Sequence, residues 1–129
     1  MNVLDFARHK HQSKKISMVT CYDFWSAGIL NKSDIDCLLV GDSLAMVMHG
    51  FDSTVHATIE MMTTHVAAVR RGAPDKFIVG DMPFLSCSQG ERHAMACVQS
   101  LMQAGAHALK VEGHTHQLPI IRQIVDAGV

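Results

Sequence analysis

The sequence predicts an α/β protein in which short parallel strands alternate with longer helices. Four apolar runs have the length of buried strands, namely ISMVTC at 16–21, CLLVG at 37–41, FIVG at 77–80 and HALKV at 107–111. Each run is followed by residues with helical patterning. Repeated βα units form parallel strands with right-handed crossovers, so we expect either an open doubly wound sheet or part of a closed barrel.

The helices are indicated by apolar residues at helical spacing. The first helix, from Phe24 to Asn31, has the least regular pattern. The other three are centred on Ile59 to Val69, Ala94 to Leu101 and Leu118 to Val125. Each helix therefore follows one of the predicted strands.

Boundary residues support the third of these helices. Ser88 and Glu91 have the spacing of a capping box at its start, and Gly105 stands where a left-handed residue would end it. The chain contains no linker or low-complexity run. We therefore expect a single domain over residues 1–129, which begins with an amino-terminal helical segment over 1–14.

Composition and charge favour a small ligand over a polyanion. The 129 residues are 48% hydrophobic, which is enough for a buried core. Lys and Arg number 11 against 12 Asp and Glu, and the net charge of -1 gives no electrostatic reason to bind nucleic acid or an anionic membrane. No apolar run approaches the roughly 18 residues of a membrane span, and the amino terminus lacks a signal-peptide core. A cytoplasmic location is expected.

The cysteines lie too far apart for a zinc ribbon or a redox dithiol. No Cys-x-x-Cys pair occurs among Cys21, Cys37, Cys87 and Cys97. We predict that all of them are free thiols, as is usual in a reducing cytoplasm.

Polar residues stand directly after each predicted strand. They are Tyr22 and Asp23, then Asp42 and Ser43, then Asp81, and finally Glu112. The functional groups of parallel α/β folds gather at the carboxyl ends of the strands. Carboxylates brought together there would repel one another unless a cation neutralised them. The pattern therefore indicates a metal site.

Oxygen ligands favour a hard divalent ion, and Mg²⁺ is the first choice. Asp42 and Asp81 are the predicted direct ligands, and Glu112 is predicted to bind the metal directly or through water. The alternative is that each acid caps the following helix or pairs with a surface base, as loop acids commonly do.

Lys110 is a candidate for substrate contact. It stands two residues before Glu112, and side chains two apart on a strand point to the same face. A lysine on an inward face is unusual unless it meets an anion, so we predict contact with a substrate carboxylate or keto oxygen. The alternative is that Lys110 only neutralises Glu112.

The nine histidines give a weaker signal than the acids. His9 and His11, like His114 and His116, are separated by one residue, but a His-x-His pattern alone is a poor indication of a metal. His65 lies among methionines on a predicted helix and is expected to be a hydrogen-bonded packing residue.

Five stretches together carry a resemblance to a known family. They are VTCYD at 19–23, LLVGDSLAMVMHGFDST at 38–54, HVAAVRRGAP at 65–74, VGDMPF at 79–84 and ALKVEG at 108–113. The combination of Gly-Asp-Ser-Leu with Gly-x-Asp-Ser-Thr downstream is the most specific part. From about Lys14 to Val129 the chain resembles the ketopantoate hydroxymethyltransferases of pantothenate biosynthesis.

This resemblance implies a (β/α)₈ TIM barrel in the superfamily of phosphoenolpyruvate mutase and isocitrate lyase. The chain would supply about the first four βα units, the amino-terminal half of the barrel. The resemblance places Mg²⁺ on Asp42 and Asp81, with Glu112 as a further acid near the metal. It places the 2-oxo acid against Asp42, Ser43, Asp81 and Lys110. Ala45, His56 and Gly80 depart from the residues common in the family.

The implied reaction transfers a hydroxymethyl group from 5,10-methylenetetrahydrofolate to 3-methyl-2-oxobutanoate and gives 2-dehydropantoate through a Mg-stabilised enolate. The family's catalytic glutamate, its general base, is expected beyond Val129. The implied partners are the 2-oxo acid and the folate, without nucleic acid or membrane, and the implied assembly is a homo-oligomer.

Two other interpretations are compatible with the same residues. A superfamily relative that makes or breaks a C–C bond in another 2-oxo acid would not depend on folate. A truncated, non-catalytic fragment or assembly module would keep the metal and 2-oxo acid half-site without turnover. Exposed strand edges in a half-barrel are the reason to consider the second interpretation.

Overall fold

Four parallel strands form the centre of the structure, a computed structural model that describes residues 1–113 and 115–129. They are β1 (Met18–Thr20), β2 (Cys37–Val40), β3 (Phe77–Asp81) and β4 (Ala108–Lys110). The order across the sheet is β1-β2-β3-β4, and every neighbouring pair is parallel. A strand order that never reverses is that of a barrel, whereas a doubly wound sheet reverses at its switch point.

The helices are α1 (Val3–His11), α2 (Phe24–Leu30), α3 (Leu44–Val47), α4 (Ile59–Gly72), α5 (Glu91–Ala104) and α6 (Leu118–Asp126), with 3₁₀ turns at Thr54–His56 and Thr115–Gln117. The predicted helices after the four strands correspond to α2, α4, α5 and α6. The helix α1 lies within the 1–14 segment. The sequence did not predict α3, because a helix of four residues is too short to show periodicity.

Helices cover the outer face of the sheet. Leu38 of β2 and Ile78 of β3 point to this face and are fully buried. They share one apolar core with Met62, Val66 and Val69, which form the buried stripe of α4. Burying one such side chain contributes about 1.5–3 kcal/mol relative to leaving it exposed, so this outer core is the main source of stability.

The inner face of the sheet is apolar at one end and polar at the other. Phe77 and Val79 belong to a small buried cluster near the amino-terminal ends of the strands. Helix α1 covers this cluster, and the rings of Phe6 and Phe77 pack edge to face with centroids 4.9 Å apart. Residues two apart on a strand share a face, so Asp81 lies on the inner face at the carboxyl end.

A glycine allows α2 and α4 to touch. A Cβ atom on Gly72 would lie 2.4 Å from the carbonyl oxygen of Phe24 and 2.8 Å from the Cβ of Ala27. Both distances are shorter than van der Waals contact, so the helices could not approach this closely with any other residue at the end of α4.

The start of α5 differs from the predicted capping box. The N-cap is Gly90, with a φ of 96°, and no side chain of the described residues caps the helix. Gly90 occupies the N-cap position with a positive φ that favours glycine, and Ser88 instead accepts a hydrogen bond from Gln117 at 3.2 Å. The end of the helix is as predicted, since Gly105 is left-handed with a φ of 112°.

The prediction that the cysteines are free thiols is confirmed. Cys21, Cys37, Cys87 and Cys97 are all free. Over the described ranges 1–113 and 115–129, no helix has both the length and the apolar character that crossing a bilayer requires.

Candidate functional site

Asp81 ends β3 on the inner face and is almost completely buried, with 1% of its surface exposed. Its Oδ2 atom accepts hydrogen bonds from the backbone amide of Asp42 at 3.1 Å and from Nζ of Lys110 at 2.6 Å. Its Oδ1 atom is buried and has no hydrogen-bond partner among the described residues. A buried carboxylate oxygen without a partner is costly, so this position favours an additional donor or a cation.

The register of the sheet brings Lys110 to Asp81. The two residues are partners across β3 and β4, and their side chains lie on the same face. Nζ of Lys110 also lies 2.9 Å from Oε1 of Glu112. The predicted pairing of Lys110 with Glu112 is therefore present, but Lys110 pairs with the buried Asp81 as well.

Burial and charge act in opposite directions on these groups. Burial raises the pKa of Asp81, and this effect exceeds the opposing effect of the hydrogen bonds from Lys110 and Asp42. Burial would lower the pKa of Lys110, but its hydrogen bonds to Asp81 and Glu112 outweigh burial and raise that pKa. The hydrogen bond from Lys110 lowers the pKa of the exposed Glu112. Lys110 is therefore held as a cation between the two carboxylates.

The segment after β2 places Asp42 and Ser43 beside Asp81. A Cβ atom on Gly41 would lie 3.1 Å from Oγ of Ser43 and 3.7 Å from Oδ2 of Asp81. Glycine at this position leaves room for both oxygens. Oγ of Ser43 also forms a 2.8 Å hydrogen bond with the phenol oxygen of Tyr22, which lies two residues after the end of β1.

A cavity of about 270 Å³ opens next to these groups. Asp42 and Glu112 lie on its polar wall, while Met82, Phe84 and Leu85 from the segment after β3 supply an apolar wall. Cavities that combine a few polar groups with apolar walls suit small metabolites. Its size is that of a site for a small molecule.

The predicted acids are only partly brought together. Within residues 1–113 and 115–129, no group of three or more His, Cys, Asp or Glu is placed to hold a metal ion. The ammonium of Lys110 lies between Asp81 and Glu112, and the Glu112 side chain is 74% exposed. Asp42 and Asp81 are neighbours, because the backbone amide of Asp42 donates a hydrogen bond to Oδ2 of Asp81. Two of the three acids therefore form the centre of the site.

Asp23 has the structural role that the alternative interpretation describes. Its carboxylate accepts hydrogen bonds from the backbone amide and the hydroxyl of Ser26, both at 2.8 Å. These contacts cap α2, and they lower the pKa of Asp23. Both carboxylate oxygens of Asp23 are therefore engaged in capping α2 and are not available to the site.

The donor set at Asp42 and Asp81 fits a hard cation. Carboxylate oxygens suit Mg²⁺, whereas zinc and copper sites usually contain nitrogen or sulfur ligands. The unpartnered Oδ1 of Asp81 is a free ligand atom that a cation would satisfy. These two residues therefore fit the predicted metal, with Glu112 farther out.

His65 is hydrogen-bonded, as predicted, and its partners lie close to the site. Its Nδ1 atom contacts the carbonyl oxygen of Tyr22 at 2.5 Å, and its Nε2 atom lies 2.9 Å from Nε2 of His49. His116 is exposed, and His114 lies outside the described residues. Sequence periodicity could not reveal the contact of His65 with Tyr22, because the two residues are 43 positions apart.

Solved structures define the class of fold. Two crystal forms of 2,3-dimethylmalate lyase, a member of the PEP mutase/isocitrate lyase superfamily, match the chain with TM-scores of 0.71 and 0.68. The matches cover 96% and 98% of this chain and 48% and 47% of the lyase chain, at 14% and 17% identity. The likeness confirms the (β/α)₈ barrel class, of which this chain forms four βα units.

Curated relatives are much closer in sequence. The 3-methyl-2-oxobutanoate hydroxymethyltransferase of Coxiella burnetii (strain RSA 493 / Nine Mile phase I) is 55% identical over 130 residues, which cover 100% of this chain and 49% of the relative. The enzyme of the same name from Bdellovibrio bacteriovorus is 50% identical over 127 residues, which cover 98% of this chain and 48% of the relative. The chain spans about half the length of these relatives.

The family model for ketopantoate hydroxymethyltransferase matches residues 1–129. The chain therefore belongs to the ketopantoate hydroxymethyltransferase family, and it corresponds to the amino-terminal half of the curated members. The resemblance seen in the sequence is confirmed.

Proposed function

We propose that this chain supplies the metal and 2-oxo acid half of a hydroxymethyltransferase site. The proposed reaction transfers a hydroxymethyl group from 5,10-methylenetetrahydrofolate to 3-methyl-2-oxobutanoate and gives 2-dehydropantoate. The names of the curated relatives support hydroxymethyl transfer to 3-methyl-2-oxobutanoate, and the folate donor rests on the family resemblance. The structural observation that carries the proposal is the buried, unpartnered Oδ1 of Asp81 beside a charged lysine and a small cavity.

The proposed ligands of Mg²⁺ are the carboxylates of Asp81 and Asp42. Glu112, at the edge of the site, would contact the metal directly or through water. When bound, Mg²⁺ would supply positive charge beside the keto oxygen and so make the proton on the neighbouring carbon more acidic. The protein's contribution is to hold the oxygens of Asp81 in a buried position, where their attraction to a cation is weakly screened, with the partly buried Asp42 beside them.

Lys110 is proposed to hold the anionic end of the substrate. Its Nζ atom is paired with Asp81 on the buried side and with Glu112 on the solvent side, and its side chain is 37% exposed. The side chain is therefore partly open to solvent, and its partner Glu112 lines the cavity. A charge-assisted hydrogen bond to the keto acid would orient the substrate as well as attract it.

Ser43 is proposed to donate a hydrogen bond to the same acid. Gly41 leaves space for the hydroxyl beside Asp81. The apolar wall of the cavity, including Met82 and Leu85, is proposed to receive the branched end of the substrate. A small branched 2-oxo acid would then have its polar end at Asp81 and its apolar end against this wall.

The proton-abstracting glutamate is not among the residues assigned here. The family resemblance implies that it lies beyond Val129, so the described residues are proposed to bind and orient the acid. The homo-oligomeric state, the cytoplasmic location and the folate site belong to the same proposal and rest on the family resemblance.

The proposal is tested by calorimetric titration of the chain with 3-methyl-2-oxobutanoate, with Mg²⁺ and with EDTA. Binding is expected only with Mg²⁺. Asp81→Asn keeps the shape of the side chain but removes its charge, and it should abolish the Mg²⁺-dependent binding. Asp34→Asn, at an exposed position, is the matched control and should bind like the unaltered chain. Equal binding by the Asp81 variant would contradict the proposed ligand role.

A further inference from the structure

The hydroxyl of Ser43 bonds to another side chain and does not cap the helix that begins beside it. A serine at the N-cap position of a helix commonly accepts hydrogen bonds from the first amides of that helix. Ser43 is the N-cap of α3, yet within the described residues its side chain forms no such cap. The hydroxyl is instead hydrogen-bonded to the phenol of Tyr22 at 2.8 Å. The contact with Tyr22 therefore sets the direction of this hydroxyl.

The chemistry of the proposed ligand determines which oxygen donates. A 2-oxo acid anion offers only hydrogen-bond acceptors, so Ser43 must give its single proton to the ligand. The phenol of Tyr22 must then donate its own proton to Oγ of Ser43. In this arrangement the lone pair of Ser43 is occupied, and its O–H points away from Tyr22.

Tyr22 is itself held in place by His65. A carbonyl oxygen only accepts, so Nδ1 of His65 carries the proton in its hydrogen bond with the carbonyl of Tyr22. The Nε2 atom of neutral His65 is then an acceptor, and Nε2 of His49 donates to it at 2.9 Å. The two histidine rings meet edge to face with centroids 5.1 Å apart. The hydrogen bond to the Tyr22 carbonyl sets the tautomer of His65, and the contact with His49 restrains its ring.

We propose that Tyr22 is a positioning residue, which aims the Ser43 hydroxyl at the bound 2-oxo acid, and that His65 acts through Tyr22 by anchoring its backbone. The inference rests on the proposed function, because Ser43 is taken to contact the acid. Neither Tyr22 nor His65 touches the substrate in this arrangement. Their effect is on the direction of one hydrogen bond.

The first test is a double-mutant cycle on the affinity of the chain for 3-methyl-2-oxobutanoate in the presence of Mg²⁺. Tyr22→Phe should weaken binding about three- to tenfold, the effect of one neutral hydrogen bond. The same change made in the Ser43→Ala background should have no further effect. Unchanged affinity in Tyr22→Phe, or an equal loss in both backgrounds, would overturn the positioning role.

The second test separates anchoring by His65 from general stability. His65→Leu removes the donor and should weaken binding only while the Tyr22 phenol is present. His65→Asn keeps a donor near the Nδ1 position and should restore most of the affinity. Thr64→Ala is the matched control, because that hydroxyl bonds within α4 to the carbonyl oxygen of Glu60. Equal losses for His65→Leu with and without the phenol would overturn the inference.

A spectroscopic measurement gives an answer that does not depend on ligand. Imidazole ¹⁵N NMR of the unaltered chain should show His65 protonated at Nδ1 and His49 protonated at Nε2. Protonation of His65 at Nε2 alone would overturn the proposed anchoring. If the unaltered chain fails to bind the acid with Mg²⁺, the proposed function is overturned, and this inference falls with it. If the chain binds the acid with Mg²⁺ but the affinity does not change in Tyr22→Phe, the positioning role is overturned and the proposed function stands.

Discussion

Nζ of Lys110 lies 2.6 Å from Oδ2 of Asp81, and the two residues are register partners on neighbouring parallel strands. The ion pair stands at the carboxyl end of the inner face, where β3 and β4 both end. It neutralises one oxygen of a buried carboxylate and leaves the other without a partner among the described residues. The site thus combines a lysine cation with an unpartnered carboxylate oxygen, and the proposed binding of a metal and an anion rests on these two features.

Lys110→Met should weaken binding of the 2-oxo acid by about tenfold or more, because a hydrogen bond to a charged group is removed. Binding of Mg²⁺ should be unchanged or tighter, because a competing positive charge is lost from Asp81. Calorimetric titrations with the metal alone and with the acid at saturating metal measure the two effects separately. Lys32→Met, at an exposed position in the turn after α2, should leave both affinities unchanged. Unaltered affinity of the Lys110 variant for the acid would contradict its proposed role.

Gly72→Ala should destabilise the chain by about 1–3 kcal/mol, the usual cost of overpacking a tight contact. The added methyl group would meet the carbonyl oxygen of Phe24 at 2.4 Å. Gly28→Ala is the matched control on α2, because its methyl group would lie 3.9 Å from the nearest atom. That control should be neutral or stabilising by up to about 1 kcal/mol, since alanine favours helix. Urea unfolding of the two variants compares them directly, and equal stabilities would contradict the close contact between α2 and α4.

His107 should make the stability of the fold depend on pH. Burial, aided by the charge of Arg70, lowers the pKa of His107. Its Nδ1 atom accepts a hydrogen bond from the amide of Ile78 at 3.0 Å, which requires an unprotonated nitrogen. The unfolded chain therefore binds a proton at a higher pH than the folded chain does.

Stability should accordingly fall as the pH drops below the ordinary histidine value of about 6.5, with a slope of at most about 1.4 kcal/mol per pH unit from this group. His107→Asn can still accept the hydrogen bond but cannot titrate, so it should reduce that slope. Urea unfolding between pH 7.5 and about 5.5 measures the difference. His11→Gln, on the exposed end of α1, should keep the slope of the unaltered chain. Identical slopes for the His107 variant and the unaltered chain would contradict this account.

Much of the fold follows from local sequence patterns. Each strand falls on an apolar run, and the longer helices follow the residues that recur at helical spacing. The residues alone did not distinguish a barrel from a doubly wound sheet, because strand order depends on contacts between distant segments. The predicted N-cap of α5 was also wrong, because Ser88 has the spacing of a cap residue but Gly90 occupies the N-cap position.

The site was predictable where it depends on strand ends and not where it depends on register. Asp42, Ser43 and Asp81 were expected at the carboxyl edge because each follows an apolar run. The pairing of Lys110 with Asp81 needed the alignment of β3 with β4, which no periodicity reveals. Contacts of Tyr22 with Ser43 and His65 also join separate elements, so only the tertiary structure brings them together.

The carboxylates of Asp42 and Asp81 are proposed to hold a divalent ion and the 2-oxo acid in one site. The most direct test replaces Mg²⁺ by paramagnetic Mn²⁺ and follows the NMR relaxation of 3-methyl-2-oxobutanoate labelled with ¹³C at the keto carbon. Strong broadening of this resonance is expected with the unaltered chain, and Asp81→Asn should lose that enhancement. Broadening that is the same for both chains, or no greater than with free Mn²⁺, would contradict the proposed site at Asp42 and Asp81.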